Sequence, residues 1–316
     1  MRKLFFAGVL AAAAGMSGAA SATDYTIIAP ASPGGGWDQT ARTLQATLQE
    51  TGVSPKVQVV NVPGAGGTIG LAQFANQSKG NPAALLVGGY VMVGAILTNK
   101  SPVTLADVTP IARLTGEALA IVVPANSTIK SVDDLVQKLK ADPGSVSWAG
   151  GSAGGADHIA AGLFAKAVGV DPTKVNYIAF SGGGEALAAI LGGQVTVGIS
   201  GISEFAPQVD AGKLRLLAVS GEKRIEGINA PTLQEAGVDL ALENWRIIAA
   251  APGITAEQKA AISADIAKLV ASKQWQDALK QRGWADTYLS GEAFDKQLAQ
   301  DIAATEAILK DIGLVK

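Results

Sequence analysis

Four glycine-rich turns carry most of the chemistry that this sequence offers. They are Ser32-Pro33-Gly34-Gly35-Gly36-Trp37-Asp38, Pro63-Gly64-Ala65-Gly66-Gly67-Thr68, Gly150-Gly151-Ser152-Ala153-Gly154-Gly155 and Ser181-Gly182-Gly183-Gly184-Glu185. Each follows a short apolar run and opens a helical pattern, and the first turn of a helix has unpaired N–H groups at the positive end of its dipole. Glycine lets an anion approach that backbone, so the chemistry implied is capture of a carboxylate without a basic side chain. The hydroxyls of Ser32, Thr68, Ser152 and Ser181 add donors. Any one such turn reads first as tight helix–strand packing, but four at equivalent places point to a shared use. None reads G-x-G-x-x-G, and no G-x-x-x-x-G-K-[ST] occurs, which excludes the usual nucleotide sites.

Other reactive candidates are few. His158 is the sole histidine and follows Asp157 at a helix start, where a capping Asp beside a packed His is a plainer reading than an acid–base pair. Asp38 reads as a helix-start cap with Arg42 as its partner one turn on; facing a cleft, Asp38 would orient the loop and Arg42 would hold a carboxylate. Trp37 reads as core, or as a shield over a ligand. Cysteine is absent, and there is no G-x-S-x-G, H-E-x-x-H or clustered carboxylate series, so no catalytic residue, metal ligand or cofactor site is expected.

The elements that must position these turns alternate. Strands are expected at 25–29, 57–62, 84–88, 118–123, 146–149, 175–180, 194–199 and 214–219, most followed by a helix, a pattern of parallel sheets with crossover helices. Trp37, Ala41, Leu44 and Leu48 form one helical stripe, and Ser131 with Asp134 forms a capping box before the apolar face of Val132, Leu135, Val136 and Leu139. From Thr255, itself paired with Gln258 as a cap, the chain reads as helices only. Two βαβ runs, before about residue 120 and from about 145 to 220, suggest two lobes, with the extended segments 118–124 and 244–252 as the crossings.

The N-terminus predicts export. Arg2 and Lys3 precede an apolar run and Ala20-Ser21-Ala22, the pattern of a secretory signal peptide over residues 1–22. Without Arg2 and Lys3 the remainder holds 23 basic and 27 acidic residues, a net charge of −4 that argues against a nucleic-acid partner. The lobes are expected at 23–122 with 246–316, and at 123–245.

At the glycine turns the sequence resembles the extracytoplasmic solute receptors of tripartite tricarboxylate transporters, the group that includes the Bordetella uptake gene receptors. The likeness covers nearly all of the chain after the leader. It rests on Pro33 to Asp38, Asn61 to Gly67, Gly150 to His158 and Tyr177 to Glu185, with Leu191-Gly192-Gly193-Gln194-Val195, Ala211 to Arg215, Pro231-Thr232-Leu233 and Asn244-Trp245-Arg246 as further matches. It implies an α/β, two-lobed periplasmic-binding-protein fold (Venus flytrap, type II) with two crossover segments. It implies a monomer that delivers its ligand to a two-subunit membrane carrier and is not an enzyme. Ser32, Gly34, Gly35, Trp37 and Asp38 would form the first wall, Gly66, Gly67 and Thr68 the second, and Ser152, Asp157, Ser181, Gly182 and Gly183 the opposing lobe. The three-glycine first loop is similar to the tricarboxylate-type branch, so a di- or tricarboxylate resembling citrate is the expected ligand. A receptor signalling occupancy to a sensor kinase would need the same site, and an exported hydrolase or isomerase using Asp38, Asp157 or His158 is the remaining alternative.

Overall fold

The computed structural model describes residues 23–316, so the leader expected at 1–22 lies outside the described residues. The first half of the chain alternates as its pattern predicts: β1 (Tyr25–Ala29), α1 (Gly36–Glu50), β2 (Val57–Asn61), α2 (Thr68–Gln77), β3 (Ala84–Gly89) and α3 (Tyr90–Thr98). β1 lies between β2 and β3 in parallel. α1 buries Trp37, Ala41, Leu44 and Leu48 against this sheet, the stripe set by the helical period. Then follow β4 (Thr109–Glu117), β5 (Leu119–Pro124), α4 (Val132–Ala141), β6 (Ser147–Gly150), α5 (Ala156–Ala167), β7 (Asn176–Ala179), α6 (Gly183–Leu191), β8 (Val197–Gly201), α7 (Ile202–Asp210) and β9 (Leu214–Val219). The chain ends with β10 (Arg246–Ala250), α8 (Ala256–Val270), α9 (Lys273–Arg282), β11 (Trp284–Ser290) and α10 (Gly291–Asp311). The capping boxes at Ser131 with Asp134 and at Thr255 with Gln258 both form.

Two sheets result, ordered β11-β4-β10-β3-β1-β2 and β7-β6-β8-β5-β9 among the described residues. Each is the floor of one lobe. Both sheets are mixed, which corrects the expectation of parallel sheets: β10 runs antiparallel between β3 and β4, and β5 runs antiparallel between β8 and β9. The reason is the crossing itself, since a strand that arrives from the other lobe enters the sheet from the opposite edge of the molecule. The segment 244–252 is therefore a buried central strand, β10, rather than a bare connection. β11 corrects the all-helical reading of the C-terminal third; Gly283, at φ 66°, ends α9 and turns the chain back along β4 as an edge strand. β4 was absent from the expected strands, its apolar period being broken by Pro110, Arg113 and Gly116. Leu119 to Val122 pair in the second sheet, so the chain changes sheet at Ala118 instead of after residue 122.

The two crossings run side by side. Ala118 bridges Glu243 antiparallel, the Glu117 N–H donates to Asn244 O at 3.2 Å, and the Asn244 N–H returns a bond to Glu117 O at 2.8 Å. Ser220 fastens this ribbon: its Oγ accepts from the Leu119 N–H at 2.8 Å and donates to Leu242 O at 2.6 Å, with the side chain buried. Ser220→Ala strands two backbone groups away from water, which costs roughly 1–3 kcal/mol. The urea midpoint is expected to fall by that free energy divided by the slope, with the slope itself unchanged; an unaltered midpoint would show that Ser220 does not hold the crossing.

Candidate functional site

All four glycine turns end on uncapped helices. The N-caps of α1, α2, α5 and α6 are Gly35, Gly67, Gly155 and Gly182, and none has a side chain on the first-turn N–H groups. Three of these ends converge from two lobes. A cavity of about 50 Å³ lies between them, walled by Gly35, Gly36 and Trp37 of the first lobe and by Gly151, Ser152, Ser181, Gly182 and Gly183 of the second. α1 and α6 meet almost head to head: a Cβ on Gly35 would sit 3.8 Å from Gly182 Cα and Gly183 N. Two positive helix ends of roughly half a charge each repel at that approach, and an anion between them reverses the sign of the interaction.

The expected site residues divide into those that reach the cavity and those that brace it. Gly35, Trp37, Ser152, Asp157, Ser181, Gly182 and Gly183 line it, whereas Ser32, Gly34, Asp38, Gly66, Gly67 and Thr68 do not. Asp38 is buried and turned back on its own loop, accepting from the Gly34 N–H at 2.9 Å, from Asn61 Nδ2 at 2.9 Å and from Arg42 Nε at 3.0 Å. Burial acts to raise its pKa, but the bonds from Arg42, Gly34 and Asn61 outweigh burial and hold the carboxyl below its ordinary range. Asp38 thus freezes the first loop, and Arg42 is spent on Asp38. Ser32 Oγ instead donates across the rim to Glu185 Oε1 at 2.8 Å. Gly67, at φ 86°, seats the ring of Trp37: a Cβ there would come within 2.6 Å of Cζ3. Thr68 Oγ1 donates to Ala65 O at 2.9 Å, so its hydroxyl is committed locally.

Beneath the glycines lies a charged cluster that motif reading did not find. Arg246, the first residue of β10, is fully buried and paired with Glu117 at the end of β4. Glu117 also accepts from the Ser203 N–H at 2.9 Å and from Ser203 Oγ. Glu204 on α7 accepts from Ser200 Oγ at 3.0 Å through Oε1, and its Oε2 is buried without a partner. Arg246, Glu204, Ser200 and Asn244 all join Asp157 in the cavity wall. Gly36 permits this approach, since a Cβ there would meet Arg246 Nη2 at 2.5 Å. Burial, with the Glu117 charge against it, pushes Asp157 up to about 7 despite its bond from the Gly151 N–H and the nearby Arg246. Burial and the charges of Glu117 and Asp157 push Glu204 up to about 8. The available signal was a lone Arg at the head of the otherwise apolar strand Arg246-Ile247-Ile248-Ala249-Ala250.

His158 takes no part in this cluster. Its ring stacks on Tyr177 at 4.1 Å and accepts from the Gly154 N–H at 3.1 Å, and burial lowers its pKa to about 4. Tyr177 OH donates to Gly151 O at 2.7 Å, so the pair shapes the third glycine turn. Among the described residues no group of three or more His, Cys, Asp or Glu is placed to hold a metal ion.

A family model described as tripartite tricarboxylate transporter family receptor matches residues 40–314. Protein BugT of Bordetella pertussis (strain Tohama I) is 28% identical over 322 residues, covering 99% of this chain and 98% of that protein. Among solved structures, MatC (Rpa3494) from Rhodopseudomonas palustris with bound malate superposes with a TM-score of 0.81 at 22% identity, covering 92% of this chain and 99% of that one. R. palustris Rpa4515 with adipate gives 0.82 at 22% identity, covering 93% and 98%.

Two predictions follow from the packing around the cavity. The single histidine makes its NMR titration unambiguous: a midpoint near pH 4 is expected, well below the ordinary value of about 6.5, and a midpoint near 6.5 would remove His158 from the packed wall. Because the unfolded chain takes up this proton first, the contribution of His158 to stability is full above about pH 6.5 and is lost as pH falls toward 4. The lobes also touch through glycine: a Cβ on Gly94 of α3 would lie 1.9 Å from Gly154 O of the second lobe. Gly94→Ala favours the helix by roughly 1 kcal/mol yet props the lobes apart. Small-angle scattering should show a larger radius of gyration without loss of melting temperature; an unchanged radius would mean that the contact does not limit closure.

Proposed function

From the premise that the chain belongs to the tripartite tricarboxylate transporter receptor family, we propose that it is an exported, monomeric periplasmic receptor for a di- or tricarboxylate. It hands this ligand to the two-subunit membrane carrier of such a system and performs no reaction. The observation that carries the reading is the meeting of the uncapped α1, α5 and α6 N-termini, from two lobes, on one cavity that also contains Arg246. Backbone N–H groups favour an anion there at either face, and a ligand touching both faces stabilises the closed pair of lobes by its differential affinity. A ligand held by one lobe alone would shift the equilibrium little.

Of the expected binding residues, Gly35, Trp37, Ser152, Ser181, Gly182 and Gly183 are proposed to touch the ligand, Asp157 to set the charge behind it, and Asp38, Gly66, Gly67 and Thr68 to hold the walls. A cavity of about 50 Å³ has room for only a few water molecules. Admitting a di- or tricarboxylate therefore requires the lobes to separate, and the ribbon formed by Glu117, Ala118, Glu243 and Asn244 is the place to bend. The malate and adipate held by the two Rhodopseudomonas proteins support a carboxylate at both ends of the ligand. The three-glycine first loop keeps citrate within the class.

Calorimetry and thermal shift with succinate, malate, adipate and citrate test the proposal. At least one acid is expected to bind with a Kd on the order of micromolar or tighter, and to stabilise the protein by about 2.7 kcal/mol when present at a hundred times its Kd. Flat calorimetry across the panel would sink the reading.

A further inference from the structure

The cavity wall carries two chemistries, and a plain dicarboxylate answers only one. On the donor side are the helix ends and Arg246, which is 0% exposed and has Nε and Nη1 without partners. On the acceptor side are Glu204 Oε2, buried and unpartnered, and Asn244, 7% exposed, whose Oδ1 is also unpartnered. Both residues line the cavity. Buried acceptors without donors are uncommon and call for an N–H or O–H from elsewhere.

Charge points the same way. The ionisable groups that face Glu204 are Glu117 of β4, Asp157 of α5 and Arg246 of β10, and Arg282 of α9 acts on the same group of charges through Glu117 and Arg246. Ionising all three carboxylates against the two guanidiniums would leave an excess of negative charge. Burial together with that excess is why Asp157 and Glu204 are pushed up and keep protons, and an entirely anionic ligand would hold those protons in place. A ligand carrying a cation beside its carboxylate would balance the excess. The two subsites are adjacent: Glu204 Oε2 would lie 1.8 Å from a Cβ on Gly183, the first residue of α6, so the free acceptor sits beside a helix N-terminus. That spacing suits a carboxylate and an amine borne on one carbon.

We propose that this site selects a 2-amino carboxylate, with the ligand carboxylate on the helix N-termini and its protonated amine donating to Glu204 and Asn244, and that Glu204 is the specificity-determining residue. The inference rests on the carboxylate-receptor reading above and narrows it. A proton alone would neutralise Glu204 but would leave Asn244 Oδ1 unpartnered.

The test is isothermal calorimetry on the leaderless protein with three probes of one length, succinate, L-malate and L-aspartate, in buffers of different ionisation enthalpy. L-Aspartate is expected to bind about tenfold or more tightly than succinate, the order of a hydrogen bond to a charged group. Asp157 and Glu204, pushed up to about 7 and about 8, hold protons that a neighbouring ammonium expels. Binding should therefore release protons, and affinity should rise between roughly pH 6 and 8. Glu204→Gln, which keeps the shape of the side chain, should abolish the preference for aspartate and reduce the proton release while succinate still binds. Succinate or malate binding as tightly as aspartate overturns the inference and leaves the carboxylate receptor standing, as does proton uptake on binding aspartate. Heat from none of the three, nor from adipate or citrate, sinks both.

Discussion

The buried pair between Arg246 and Glu117 is the constraint around which the site is arranged. Neither charge is tolerable alone in so dry a place; losing one partner of such a pair costs about 3–5 kcal/mol, because the other is left uncompensated. The pair stands where β4 ends and β10 begins, which are also the two places at which the chain crosses between lobes. Its surroundings are shaped to admit it. Gly36 and Gly201 leave room for the guanidinium and the carboxylate, since a Cβ at Gly201 would meet Glu117 Oε2 at 2.4 Å. Trp284 lies under the guanidinium at 4.9 Å and Ser203 donates to the carboxylate. One ion pair thus ties hinge, sheet edge and cavity wall together, and beside it burial, more than the opposed charges of Glu117 and Arg246, pushes up the titration of Asp157 and Glu204.

Above that pair, beside the side-chain bond from Ser32 to Glu185 across the rim, the closest approaches between the lobes are made at glycines. Gly35 faces Gly182, Gly94 faces Gly154, and Val91 lies where a Cβ on Gly155 would be, at 2.8 Å. Side chains at these positions would have kept the helix ends apart, and the electrostatic benefit of their N–H groups falls away within a turn. The abundance of glycine therefore has a mechanical meaning here, and so does the bracing by Asp38: a loop without side chains has little to hold it unless a neighbour does.

The architecture was legible wherever a local period governs structure. The stripe of Trp37, Ala41, Leu44 and Leu48, the capping boxes at Ser131 and Thr255, and the helix starts at the four glycine turns all depend on residues within a few positions of one another. β10 and β11 depend on partners more than a hundred residues away, and an apolar run such as 246–250 looks the same whether it crosses between lobes or lies in the middle of a sheet. The site divided along the same line. Glycine turns announce themselves by composition, and so Gly35, Gly182 and Gly183 were found. Glu117, Glu204 and Arg246 come from three distant segments and match no spacing rule, so only the fold brings them together.

The donors that the α1 and α6 ends turn toward the cavity are main-chain N–H groups, which has a consequence for how such a wall can vary. A point mutation can replace a side chain, but it cannot delete a peptide N–H unless it introduces proline. The capture of an anion proposed above would therefore be insulated from most mutational change, while Ser152, Ser181, Glu204 and Asn244 remain open to replacement around it. A lineage built this way can exchange one ligand for another by altering a few wall residues, without first losing the ability to bind.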